Sequence, residues 1–338
     1  MTRAEARAAF LAAAGWADAE ARPLAGDASA RRYDRLTLRG APAVLMDAPP
    51  EAGEALTPFL AVTAHLRGLG LSAPAVLHAD PTTGFALLED LGDALFARVC
   101  ADDPAAEPAL YAAAVDLLAD LQSAPPPAEI DGWTVPPYDA ETLAREALLA
   151  VDWYLAGAAG PPPPDLRAEF AARLADACAE VAPARGALVL RDYHAENLIW
   201  LPDRRGTARV GLLDYQDALR GHGAYDLVSL LEDARRDTSE ALRAAMTARF
   251  AAATGADAPA LAQAAAALTA QRNLKIVGIF ARLARRDAKP RYLSLIPRVW
   301  AHLQRDLSHP ALGPLATWCA RHLPPPTPAV LARIGAAP

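Results

Sequence analysis

Residues 2–14 carry apolar positions at helical spacing, and Thr2 and Glu5 stand three apart as a capping box, so the chain is expected to open on an amphipathic helix. A turn-forming stretch, Gly26-Asp27-Ala28-Ser29-Ala30, follows. Toward the end of residues 31–38 the pattern changes to the alternation of a half-buried strand. The next apolar stretch, Ala43-Val44-Leu45-Met46-Asp47, is expected to pair with it as a hairpin. Residues 55–69 return to a helical pattern that Gly70 ends, and Val76-Leu77-His78-Ala79 with Phe85-Ala86-Leu87-Leu88-Glu89 form a second strand pair. Glu89-Asp90-Leu91-Gly92 then breaks the pattern. Beyond it the chain reads as helix, apart from a strand cluster over residues 187–213, with proline-rich breaks at 125–127, 161–164 and 324–326.

This order predicts an α+β fold of two lobes with a hinge near residues 89–92. A small N-terminal antiparallel sheet lobe spans residues 1–91, and a large helical C-terminal lobe spans 92–338. Composition agrees with an ordinary globular protein: 53% of the 338 residues are hydrophobic and 22% charged. No apolar run approaches a bilayer span, and Arg3, Glu5 and Arg7 mark the first helix as a surface helix and not a signal peptide, so a cytoplasmic location is expected. A net charge of −7 gives no general attraction to nucleic acid or anionic membrane. Cys100, Cys178 and Cys319 are too scattered for a disulfide framework or zinc site and read as small buried residues.

The chemistry sits in two segments, Arg191-Asp192-Tyr193-His194-Ala195-Glu196-Asn197 and Leu212-Leu213-Asp214-Tyr215-Gln216-Asp217. Kinase catalytic loops place an Asp, which accepts the substrate hydroxyl proton, five residues before an Asn that holds magnesium, and a later Asp at a strand end holds magnesium from the other side. Asp192 and Asn197 have that spacing, and Asp214 ends the apolar run Arg209-Val210-Gly211-Leu212-Leu213. Phosphoryl transfer is mostly positioning and charge neutralisation, so hard oxygen ligands and one base near the acceptor suffice. Each of the three residues alone suits a turn or a helix cap; in this order, each beside an apolar strand, they point to a phosphotransferase using ATP and Mg2+.

Lysine is nearly absent. Of 33 basic residues only Lys275 and Lys289 are lysines, so the lysine that protein kinases carry on their third strand to hold the nucleotide phosphates has no counterpart. Met46 stands where it would be, and Arg31 and Arg32 are the nearest cations in sequence. Around the loop, His194 either touches substrate or is a neutral histidine bonded within the loop. Gln216 and Asp217 are placed to meet substrate hydroxyls, and Asp226 either caps a helix or braces the catalytic loop. The run Glu232-Asp233-Ala234-Arg235-Arg236-Asp237 reads as a solvated helix end.

The strand-turn-strand, acidic hinge, Asp-loop and Asp-strand order resembles the aminoglycoside phosphotransferase and choline kinase superfamily, which shares the protein-kinase-like fold. More closely, Gly26-Asp27-Ala28-Ser29 with Arg31-Arg32-Tyr33, residues 44–51, Arg191 to Leu198, Leu213 to Ala218, Arg272-Asn273-Leu274-Lys275 and Pro290-Arg291-Tyr292-Leu293 look like bacterial anomeric kinases of N-acetylmuramate and N-acetylglucosamine, which act in cell-wall recycling. The resemblance implies Asp192 as catalytic base, Asn197 and Asp214 as magnesium ligands, and backbone hinge bonds from Glu89 and Leu91 to adenine. It implies a phosphate-covering turn at Gly26, Asp27 and Ser29; with no lysine at Met46, the nearest arginines in sequence, Arg31 and Arg32, are the candidates for the phosphates. Arg191, His194, Glu196, Gln216, Asp217, Arg272 and Lys275 are its candidates for the sugar.

Three function classes fit: an anomeric amino-sugar kinase, a kinase of another small alcohol such as an aminoglycoside or choline, and an inactive kinase-like binding protein, which Met46 alone would suggest. The intact Asp192, Asn197 and Asp214 set argues against the third. Arg191, Arg272 and Arg291 suit an acceptor carrying a carboxylate better than a polycation. The expected partners are ATP and a small amino sugar.

Overall fold

The computed structural model describes residues 1–24, 31–53, 55–184 and 186–336. Gly26, Asp27 and Ser29 lie outside the described residues. The chain divides into two compact units. The first comprises residues 1–117, 127–135 and 196–218, and the second comprises 118–126, 136–195 and 219–338.

The first unit is built on a five-stranded antiparallel sheet of strands β1 (Glu20–Pro23), β2 (Arg32–Leu38), β3 (Ala41–Asp47), β4 (Val76–Asp80) and β5 (Phe85–Leu88), in the order β1-β2-β3-β5-β4. The expected β2–β3 hairpin closes on Arg39 and Gly40, both at positive φ (51° and 83°), the two-residue turn whose twist matches its strands. One face of the sheet buries Leu36, Ala43, Leu45, Phe85 and Leu87 against Phe10 and Leu11 of the opening helix α1 (Arg3–Ala13). The capping box is present: Thr2 Oγ1 accepts from the Glu5 N–H at 3.2 Å, and Glu5 Oε2 accepts from the Thr2 N–H at 2.7 Å. Helix α2 (Leu56–Gly68) buries Phe59, Val62, Thr63 and Leu66.

The same unit contains an antiparallel ribbon of Leu198–Trp200 and Val210–Leu212. Its outer strand is tied down through Ser72, whose carbonyl accepts from the Leu212 N–H at 2.9 Å and whose hydroxyl donates to the Ala208 carbonyl at 2.6 Å. Five of the six paired residues are buried, so the two strands read as continuous apolar runs and do not alternate.

The second unit is helical, with one small ribbon of Ala187–Val189 against Leu219–Gly221. Its axis is the 28-residue helix Ala258–Arg285, which buries residues from Leu261 to Ala284 on several faces. Alanine and glycine allow neighbours to approach it closely. The backbone of Leu149 and Ala150, leading into the π-helical turn Ala150–Leu155, lies directly on Gly278. Among the described residues no helix is long and apolar enough to cross a membrane.

The acidic head of the 232–237 run is not solvated. Glu232, Asp233 and Ala234 are buried at the end of the helix Ala224–Leu231. Glu232 accepts from Asn273 Nδ2 at 3.3 Å and pairs with Arg305, and Asp233 Oδ1 accepts from the Arg235 N–H at 2.8 Å. Partners from distant helices, which a local charge pattern does not reveal, allow the Glu232 carboxylate to be buried.

Candidate active site

In the first unit the two residues expected to bind magnesium emerge from the paired ends of one ribbon. Leu198 faces Leu212, and one step further the Leu213 N–H donates to the Asn197 carbonyl at 3.0 Å, so Asn197 lies beside the residue that precedes Asp214. Asp214 turns out of the strand at φ 57°, a left-handed conformation that Asp tolerates better than most residues. Its carboxylate is exposed, and Oδ1 accepts from Gln216 Nε2 at 2.8 Å. Gln216, a substrate candidate in the sequence, therefore braces Asp214. The next residue, Tyr215, is buried, stacked on Phe59 with ring centroids 5.6 Å apart and bonded to Thr63 Oγ1 at 2.8 Å. That contact anchors the Asp214 turn to α2. Asp217 and Glu196 are exposed.

The segment after β5 is held as firmly. Glu89 gives its N–H to the Ala75 carbonyl at 2.8 Å, and its carboxylate accepts from the Ala75 N–H at 3.0 Å and from Arg204 at 2.6 Å. Of its backbone groups the carbonyl is thus the one to consider for an adenine contact. Arg35 of β2 grips Asp90 and Asp93, each at 2.6 Å, while Leu91 is buried. Met46 is fully buried on β3, between Tyr33 and Ala86 in register. Arg31 is buried and Arg32 exposed, a difference between adjacent cations that the sequence did not show.

In the second unit the strand Ala187–Val189 leads into Leu190, Arg191 and Asp192. Asp226, fully buried near the start of its helix, accepts from the Leu190 N–H at 2.6 Å and the Arg191 N–H at 2.9 Å. It therefore braces the loop and does not cap a helix. Burial pushes this carboxyl up to about 7, against the pull of those two N–H groups. Arg191 stands at φ 72°, its carbonyl accepts from Ser229 Oγ at 3.2 Å, and its guanidinium pairs with Glu146. Asp192 follows, half-buried, with its N–H on the Leu190 carbonyl at 2.9 Å.

Glu146, on the helix Ala140–Ala147, was not singled out by any sequence pattern. Besides Arg191 it meets Lys275 Nζ at 3.2 Å and accepts from the Tyr138 hydroxyl. Burial works to raise its pKa, but the charges of Lys275 and Arg191 and these hydrogen bonds win and hold it at about 2. Arg191 and Lys275, both read as substrate candidates, thus share one buried carboxylate. Arg272 is buried as well and donates to the Glu232 carbonyl at 3.3 Å. His194 is buried, and burial lowers its pKa against the opposing charges of Asp233 and Asp192, which keeps the imidazole neutral near pH 7.

An amide and a carboxylate oxygen on adjoining turns form a hard donor set that suits magnesium, which takes one or two protein ligands and completes its shell with phosphate and water. The exposed Asp214 carboxylate meets that requirement.

A family model described as phosphotransferase enzyme family matches residues 20–264, and the chain belongs to that family. Within it the chain is similar, over almost its whole length, to the N-acetylmuramate/N-acetylglucosamine kinase of Caulobacter vibrioides, with 41% identity covering 95% of this chain and 97% of that protein. The proteins of the same name from Pseudomonas aeruginosa and Neisseria meningitidis are each 36% identical, covering 87% and 83% of this chain and 87% and 84% of their own lengths. Among solved structures, ADP-bound aminoglycoside phosphotransferase APH(2'')-Ib aligns with a TM-score of 0.57 at 15% identity, covering 84% of this chain and 92% of that one. Choline kinase LicA from Streptococcus pneumoniae aligns with a TM-score of 0.56 at 14% identity, covering 88% and 93%. The kinase-like α+β fold expected from the sequence is the fold observed.

Proposed function

We propose that this chain is an ATP- and magnesium-dependent kinase that phosphorylates the C1 hydroxyl of N-acetylmuramate and N-acetylglucosamine, acting in the cytoplasm during peptidoglycan recycling. The choice of sugar is carried by the 41% identity to the Caulobacter kinase across nearly both full chains. Asp192 is the base, and Asn197 and Asp214 are the metal ligands. The ribbon register that sets Asn197 beside Leu213 supports the latter pair. Residues 1–91 serve the nucleotide, with the Glu89 carbonyl and Leu91 N–H toward adenine, and 92–338 carry the catalytic loop, the metal ligands and the acceptor site.

Magnesium, once bound, supplies charge neutralisation for the nucleotide phosphates. The remaining work falls to side chains. Asp192 orients the acceptor hydroxyl and takes its proton; a hemiacetal hydroxyl is more acidic than an ordinary alcohol, so one carboxylate of modest strength suffices. Exposed Glu196 and Asp217 are placed for sugar hydroxyls, whereas Arg191 and Lys275, tied to Glu146, act on an anionic acceptor mainly through their net positive charge.

With Met46 at the lysine position, an arginine is needed on the phosphates, and it would hold them bidentately. Buried Arg31 fits that role better than exposed Arg32. Arg31→Ala should raise the ATP KM about tenfold, the scale of one charge-assisted hydrogen bond, and Arg32→Ala should leave it nearly unchanged; unchanged ATP kinetics in both variants would reject the assignment.

The function itself is tested by a kinase assay over amino sugars, aminoglycosides and amino alcohols. Phosphorylation of both amino sugars and none of the others is expected, and turnover of an aminoglycoside or choline with neither sugar would overturn the reading.

A further inference from the structure

We propose that Glu146 is a positioning residue for the phosphoryl transfer, setting the catalytic loop through Arg191 so that Asp192 meets the acceptor hydroxyl. The inference rests on Asp192 being the base. Its starting point is a conformational oddity: Arg191 holds φ at 72°, a region that glycine enters without cost and that costs any other L residue about 1 kcal/mol or more. Arg39 holds a similar φ in an exposed hairpin turn, where turn geometry sets it; in the packed loop at Arg191 the surrounding structure must over-determine the conformation.

Glu146 supplies part of that structure. The two backbone bonds from Asp226 and Ser229 fix where the Arg191 peptide lies, and they would fix a glycine equally well. The guanidinium–carboxylate pair, by contrast, requires a cationic side chain, and it ties the loop to the helix Ala140–Ala147 at a sequence distance of 45 residues. Glu146 cannot swing away, because Lys275 of the long helix and the Tyr138 hydroxyl hold it from other sides, and Gln271 Nε2 donates to the Leu143 carbonyl one turn earlier at 3.0 Å. Three segments, the catalytic loop, the long helix and the stretch at Tyr138, therefore converge on the carboxylate that holds the residue before the base. Side chains within this cluster are mostly buried, at 18% exposure for Arg191, 12% for Glu146 and 11% for Lys275, so little competing water reaches the pair.

Losing this tether leaves Asp192 present but loosely aimed, and a misplacement of about 1 Å at a reacting group costs on the order of a hundredfold in rate. Glu146→Gln should lower kcat by a factor of roughly ten to a hundred while the ATP KM stays within about twofold, since the nucleotide contacts are untouched. In an Asp192→Asn background the same change should cost less than about twofold, because residues acting as one unit are not additive. Hydrogen exchange of the 189–193 amides should rise about tenfold in Glu146→Gln, with the sheet amides unchanged. Glu146→Asp, which keeps the charge but withdraws it by one methylene, should show the same pattern more weakly and serves if the glutamine variant does not fold.

Near-normal kcat in either folded variant, or an equal loss with and without Asp192, would overturn the proposal. Exchange is read with no acceptor present. A wild type that phosphorylates neither sugar, combined with a loop loosened in Glu146→Gln, would therefore sink the sugar reading and leave the Glu146 tether standing.

Discussion

Asp214→Ala should abolish turnover and magnesium-dependent nucleotide binding together, whereas Asp192→Asn should reduce turnover by a factor on the order of a hundred or more with ATP affinity largely kept. The contrast follows from where the two carboxylates stand. Asp214 is exposed at the end of the Val210–Leu212 strand, its turn anchored by Tyr215 and its carboxylate by Gln216, so alanine removes the proposed oxygen ligand together with its Gln216 bond and leaves the Tyr215 anchor in place. Asp192 follows a residue fixed by Asp226, Ser229 and Glu146, and an isosteric Asn there changes proton acceptance and little else. Isothermal titration of ATP with and without magnesium, beside kcat for each folded variant, separates the two effects. Near-normal activity in either variant would remove that residue from its role.

The second large effect is on stability. Gly278→Ala should destabilise the protein by roughly 3 kcal/mol, the upper end of ordinary overpacking costs. An added Cβ would lie 2.1 Å from the Leu149 carbonyl carbon, 2.4 Å from its oxygen and 2.5 Å from the Ala150 nitrogen. These are backbone atoms of a helical segment and cannot rotate aside as a side-chain tip can. For a cooperative unit of this size the loss corresponds to a fall in Tm of about 6–12 °C. Gly68→Ala is the control. It is also helical, nothing lies within 4 Å of its added Cβ, and it should gain up to about 1 kcal/mol from propensity alone. Thermal denaturation of both variants against wild type decides the point, and equal Tm values would show that the Ala258–Arg285 helix can shift off Leu149 at no cost.

What was legible from sequence was whatever has a short period or a fixed spacing. The capping box of α1 and the β2–β3 hairpin each span few residues and express a local rule, and the Asp192–Asn197–Asp214 series stands out as a candidate site through its fixed spacing. Strand β1 escaped notice because all four of its residues are exposed and one is proline, so it carries no alternation to detect. The Glu146 cluster was hidden for a different reason. Arg191 and Lys275 were visible as cations and read as substrate contacts, but the buried carboxylate they share comes from another helix. The positive φ of Arg191 and of Asp214 left no mark, since neither position is glycine. The depth of Glu232 depended on Asn273 and Arg305, more than 40 residues away along the chain.

The central claim is transfer to the anomeric oxygen, and phosphorus NMR of the product tests it directly. Purified protein is incubated with ATP, magnesium and N-acetylmuramate, and in parallel with N-acetylglucosamine. A phosphate on C1 couples to the single anomeric proton, whereas one on C6 couples to a methylene pair. The expected result is a phosphorus doublet from the sugar 1-phosphate with both acceptors, lost in Asp192→Asn; a methylene-coupled 6-phosphate signal from the same reaction would contradict it.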